Sequence, residues 1–119
     1  MDFMQSVKTV LKNYANFNDR SRSSEYWWWF LAYLVGYVIL VFIGGVIGAA
    51  EILSGLFALA LLVPNIAVSV RRFHDIGKSG WWVLIFIIPL VGLIAMIYFF
   101  IKPSDGPNQY GEGPIPPAA

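Results

Sequence analysis

Two short segments hold most of the residues able to do chemistry. Asn18-Asp19-Arg20-Ser21-Arg22-Ser23-Ser24-Glu25 carries two carboxylates and two guanidiniums. Arg71-Arg72-Phe73-His74-Asp75-Ile76-Gly77-Lys78-Ser79-Gly80 adds two guanidiniums, an ammonium, a carboxylate and the only histidine. Such cations, with backbone N–H groups near a helix start, can hold a phosphate or a lipid headgroup. The alternative for the second segment is a loop whose charge only sets membrane topology. The two segments also suit each other: Glu25 with Arg71 or Arg72, and Asp75 with Arg20 or Arg22. That pairing predicts a structured network, with any spare Arg or Lys directed at a lipid phosphate. The candidate headgroup or partner-binding residues are therefore Arg20, Arg22, Glu25, Arg71, Arg72, His74, Asp75 and Lys78.

Catalytic patterns are scarce. One histidine rules out a two-His metal site within a chain, and the lack of Cys rules out thiolate chemistry. His74 and Asp75 could serve a membrane enzyme, or bind a metal with Asp19 or Glu25, if folding brought them together. Gly77-Lys78-Ser79 lacks the preceding glycine of a phosphate loop, and no nucleophile elbow occurs. No nucleic-acid-binding module is recognisable. The reading is a non-enzymatic protein with no cofactor, no bound metal and no nucleic-acid partner.

These segments must be positioned by apolar elements. The chain has 119 residues, 58% apolar and 13% charged. A soluble domain has about 45–50% apolar and about 25% charged residues. So little charge cannot cover a soluble globule, and an all-α membrane protein is expected. From Tyr26 to Val70 the only charge is Glu51, and Trp81–Ile101 has none. Dividing at Glu51 gives spans at 26–50, 52–70 and 81–101. As helices they measure about 37, 28 and 31 Å, against a hydrocarbon core of about 30 Å. Residues 19–102 thus form a three-helix transmembrane domain.

Residues 1–18 precede it as an amphipathic interfacial helix. Phe3, Met4, Val7, Val10, Leu11, Tyr14 and Phe17 share one arc of the helix over 2–17, and Lys8 and Lys12 lie opposite. Residues 103–119 form a Pro/Gly-rich tail, in which Asn108-Gln109-Tyr110-Gly111 offers a turn. Three crossings with a cytoplasmic N-terminus place all the Lys and Arg inside except Lys102. Tyr26, Trp27, Trp28, Trp29, Trp81 and Trp82 are the expected interface anchors. Gly36, Gly44 and Gly48 repeat every four residues or multiples of four on one face, for packing on the second span or for a homo-oligomer. Pro64 should kink the second span, and Asn65 must find a partner, such as the freed carbonyl of Ala60 or a facing helix. A small oligomeric transporter with Asn65 and the Pro64 kink lining a passage is the alternative function.

The motifs resemble those of domain-of-unknown-function family 805, small bacterial inner-membrane proteins. The likeness runs from Asn13-Tyr14 and Phe17 through Arg20–Arg22 and Glu25-Tyr26-Trp27. It continues in Arg71–Gly80 with Trp81-Trp82, in Pro89-Leu90-Val91-Gly92 and in Asn108–Gly111 followed by Pro114. Asp19-Arg20 stands where that family usually has Gly-Arg. The resemblance implies a bacterial inner-membrane location and no established activity; the multi-pass reading comes from the three apolar runs. Anionic membrane lipids are the partner this implies for the loop.

Overall fold

A computed structural model describes residues 1–118; Ala119, the last residue of the expected tail, lies outside the described residues. The described residues form helices and loops without a named strand. The first helix, α1, spans Phe3–Lys12. Asp2 caps it through the N–H of Gln5, and the Gln5 side chain accepts from the N–H of Asp2. This reciprocal pair satisfies two orphan donors and fixes where the helix starts. The helix stops at Asn13, earlier than the expected 17, because the Asn13 side chain and backbone both turn back onto the carbonyl of Thr9.

The second helix, α2, covers Ser23–Ile47. It is the one continuous helix here that is long and apolar enough to cross a membrane. Its buried residues are Glu25, Tyr26, Trp29 and Gly44 alone. Phe42 and Val46 are 73% and 74% exposed, which a soluble core helix would not allow. Relative to the expected 26–50, the helix begins and ends three residues early. Ser23, Ser24 and Glu25 form its first turn, and Gly48 ends it in the left-handed conformation with φ 76°.

Gly48 is therefore a helix terminator and not a packing glycine. Gly36 and Gly44 keep the packing role: α3, Ala50–Ala60, returns against them. A Cβ on Gly36 would lie 2.9 Å from the Phe57 ring, and one on Gly44 would strike the backbone of Ala50. This small-residue face is thus occupied within the protomer.

The second apolar run is one bent unit. α4, Leu62–Asp75, follows α3 at a 45° bend. The kink falls at Leu61, one turn ahead of Pro64, because Pro64 sits in the first turn of α4, where its missing N–H is tolerated. The carbonyl of Ala60 that Pro64 cannot reach accepts from the Tyr14 hydroxyl. Asn65 uses the facing helix instead: its Oδ1 accepts from Trp29 Nε1 at 2.7 Å.

The third run departs most from expectation. Residues 81–101 are not one helix. A 3-10 helix spans Gly80–Ile87, Ile88 is extended, and α5 covers Pro89–Phe100. The residue before a proline avoids the helical region, and proline opens a helix well, so the chain turns at Ile88-Pro89. The two limbs then lie side by side. A Cβ on Gly92 would sit 2.7 Å from the Cα of Phe86, so only glycine permits this approach. Trp82 meets Phe99 at 5.7 Å and Phe86 meets Phe100 at 5.6 Å, ring centre to ring centre. The limbs rise about 16 and about 18 Å, each about half of a hydrocarbon core. The end of α5 consequently returns to the level of Gly80.

Candidate functional site

The return of α5 gathers five segments at one end of the molecule: 13–16, the start of α2, the end of α4, and residues 100–106 and 108–115. Their centre is a set of charged side chains removed from solvent. Arg20, Glu25, Arg71, Arg72 and Asp75 are each 0% exposed. Ions in such a place persist when paired, and all five are, although Glu25 Oε1 is buried without a hydrogen-bond partner.

Asp75 is the hub. Its Oδ1 lies 3.0 Å from the Arg20 guanidinium and its Oδ2 lies 2.9 Å from Arg72 Nη1. Ser104 Oγ donates to the same Oδ2. Arg20 places every N–H. Nε faces Asp75, Nη1 donates to the carbonyls of Gly106 and Gly111, and Nη2 donates to those of Asp75 and Asp105. Arg72 donates to the carbonyls of Phe100 and Lys102, which are orphans at the end of α5. Trp27 Nε1 bonds the same Phe100 carbonyl at 3.0 Å.

Arg71 forms the second branch. Its Nη2 meets Glu25 Oε2 at 2.9 Å, Nε donates to Ser21 Oγ, and Nη1 donates to the carbonyls of Asn13 and Asn16. Ser21 in turn donates to Glu25 Oε2. Two of the pairings expected from charge alone are present, Glu25 with Arg71 and Asp75 with Arg20; the pair of Asp75 with Arg72 is not among those expected. Arg22 instead donates to the carbonyl of Ile115.

This geometry reassigns the guanidiniums. Arg20, Arg71 and Arg72 spend their N–H groups on internal carboxylates and carbonyls, so they bind the fold together and leave no surface for a headgroup. The tail is drawn into the same network, with Asp105 N–H on the Asp75 carbonyl and Ile115 N–H on the Arg20 carbonyl. Lys102, expected on the opposite side, lies at this end. Its Nζ is 5.8 Å from the ring centre of Phe99, and Lys78 Nζ is 5.1 Å from the same centre. Lys102 also stands over Tyr98 and Lys78 over Trp82. Sequence reasoning missed Lys102 because it lies beyond an apolar run long enough to cross.

His74 and Asp75 point apart. His74 Nδ1 donates to the carbonyl of Asp19 at 3.0 Å, and its ring stacks on Tyr110 at 3.9 Å. The Asn108–Gly111 turn positions that Tyr. Among the described residues, no three His, Asp or Glu side chains are grouped to hold a metal. Asp75, held by two guanidiniums and a hydroxyl, is not placed to take a proton from a substrate.

The aromatic anchors divide as well. Tyr26 and Trp29 are 6% and 4% exposed and belong to the core, where the Tyr26 ring packs 4.5 Å from Phe100. Trp28, Trp81 and Trp82 remain on the surface.

Comparison with known proteins adds a family. The family described as "Protein of unknown function (DUF805)" matches residues 14–112. The chain is 37% identical over 113 residues to Inner membrane protein YhaI of Escherichia coli (strain K12), covering 93% of this chain and 96% of the relative. It is 33% identical over 111 residues to Inner membrane protein YhaH of the same organism, covering 88% and 92%. No solved structure matches the chain.

Proposed function

We propose a lipid-associated, non-enzymatic role for this chain, which belongs to the DUF805 family of proteins of unknown function. It is an inner-membrane protein, as its relatives are. In our reading α2 crosses the membrane and the bent α3–α4 unit crosses back. The 3-10 helix and α5 enter from the cytoplasmic side and return to it. The N-terminus, residues 71–80 and the tail then share the cytoplasmic face, and Glu51 lies opposite. This puts all eight Lys and Arg on one side, a stronger positive-inside bias than three crossings provide.

α1 would lie in that interface. The side it turns to α2 buries Ser6, Thr9 and Val10. Phe3, Met4 and Leu11 are left exposed, and an acyl boundary is where such side chains gain.

The buried arginines fold the cytoplasmic face, and lysines meet the headgroups. The observation that carries this reading is the convergence of Lys78 and Lys102 on the Phe99 ring. Two ammoniums over exposed aromatic surface at a membrane boundary favour an anionic phosphate nearby. The test is native mass spectrometry of protein released from phosphatidylglycerol-containing nanodiscs. Lys78→Ala and Lys102→Ala should each lower the phosphatidylglycerol held at the lysine pair about fivefold, the equivalent of ~1 kcal/mol per lysine at an anionic surface. Thermal stability should not change. Loss with Lys78→Ala but not with Lys102→Ala would contradict a shared site.

A further inference from the structure

We propose that the seam between α4 and the 3-10 helix is a slot for one acyl chain of a phospholipid, whose headgroup donates a hydrogen bond to His74. The seam holds two adjoining cavities. The one toward mid-membrane measures about 390 Å³ and is walled by Leu62, Ile66, Leu84, Phe86 and Ile87. The other measures about 400 Å³ and reaches the cytoplasmic cluster, where His74, Ser79, Gly80 and Tyr110 line it. Ile66 and Val83 belong to both walls, so the cavities adjoin along one seam, the channel of this proposal. Each volume falls within the usual range for a small-molecule site.

The polarity along the channel matches an amphiphile lying as membrane lipids lie. The deep part is mostly apolar, with Asn65 and Ser69 as its polar lining, and faces hydrocarbon. An acyl chain is the occupant the surroundings supply. The shallow part offers a specific polar group. His74 is 7% exposed, and its Nδ1–H is committed to the Asp19 carbonyl. That bond leaves Nε2 of the neutral ring as an acceptor. Among the described residues Nε2 has no hydrogen-bond partner. It stands 3.6 Å from where a Cβ on Gly80 would be, at the wall of the channel. Stacking on Tyr110 holds the ring in that orientation. An accessible, unpartnered acceptor at the head of the slot favours a ligand whose head carries an O–H or N–H. The glycerol of phosphatidylglycerol and the ammonium of phosphatidylethanolamine both qualify. The trimethylammonium of phosphatidylcholine does not.

The inference rests on the membrane-embedded reading above but not on the lysine pair. Full-length protein is exchanged into nanodiscs of each of the three lipids, extracted, washed with detergent and weighed with its retained lipid. Wild type should keep one phospholipid per chain in the slot, apart from any at the lysine pair, with phosphatidylglycerol or phosphatidylethanolamine favoured about tenfold over phosphatidylcholine. Ile66→Trp fills the channel and should abolish retention of all three, and Val83→Phe serves if Ile66→Trp does not fold. His74→Phe keeps the stack on Tyr110 and should erase the preference while a lipid is still retained. Lys78→Ala/Lys102→Ala should keep the slot lipid, which separates this site from the lysine pair. Retention unchanged by Ile66→Trp and Val83→Phe would overturn the slot. Equal loss with Leu90→Trp, at a 70%-exposed site outside the channel, would reduce the lipid to ordinary annular lipid. A headgroup preference surviving His74→Phe would overturn the role of His74.

Discussion

The two ends of this protein are held together by different physics. At the far end, α2 and α3 close through Gly36 on Phe57 and Gly44 on the backbone of Ala50, with small residues and one exposed acid, Glu51. At the near end, five segments close on three arginines and two acids from which water is excluded. Small-residue packing needs only the absence of side chains, and it tolerates lipid on every other face. Ion pairing needs every donor and acceptor placed at once, so it fixes segments far apart in sequence. Arg20 alone binds backbone as distant as Gly111. The near end therefore decides where the tail goes, and the far end only turns the chain around.

That contrast predicts unequal costs. Asp75→Ala strands two buried guanidiniums and should destabilise the protein by about 3–5 kcal/mol, read as a large drop in the melting temperature of the detergent-solubilised protein. Glu51→Ala at the far end should stay within about 0.5 kcal/mol of wild type. The tail of Asp75→Ala should also become susceptible to limited proteolysis, because Arg20 loses the anchor that aims it at the carbonyls of Asp105, Gly106 and Gly111.

The next effect concerns the returning hairpin. Gly92→Leu forces the 3-10 limb away from α5 and should cost about 1–3 kcal/mol, as overpacking does. Gly45→Leu, at a position with open space, should cost much less. A single straight third helix would reverse neither result but would make both substitutions equally mild. A smaller effect than that of Gly92→Leu belongs to the terminator of α2. Gly48→Ala must hold a left-handed backbone and should cost about 1–2 kcal/mol without altering oligomeric state. A change in stoichiometry would restore Gly48 to a helix–helix contact.

Much of the near end was legible in the residues. Carboxylates and guanidiniums in two short segments leave few ways to pair, and Glu25 with Arg71 and Asp75 with Arg20 are among them. Asn65 likewise needed a facing donor and found Trp29. The path of the third apolar run was not legible, because uncharged residues read the same in a crossing helix and in a hairpin. The signals present were Pro89 with Gly92 inside the run, and Lys102, the one basic residue that three crossings leave outside. The tail's part in binding Arg20 was hidden for another reason. It acts through the carbonyls of Asp105, Gly106 and Gly111, and backbone carbonyls carry no residue signature. The binding role expected for the arginines failed because their internal partners include carbonyls brought near only by the folded chain.

The central claim is that the tail shares the face of the N-terminus. Single cysteines at Lys8, Glu51 and Glu112, in a chain with no native Cys, report it directly through a membrane-impermeant thiol reagent on intact cells. All three positions are exposed. The account predicts labelling of Glu51→Cys alone, with Lys8→Cys and Glu112→Cys reacting only after the inner membrane is opened. Labelling of Glu112→Cys together with Glu51→Cys on intact cells would contradict it, since the third apolar run would then cross the membrane.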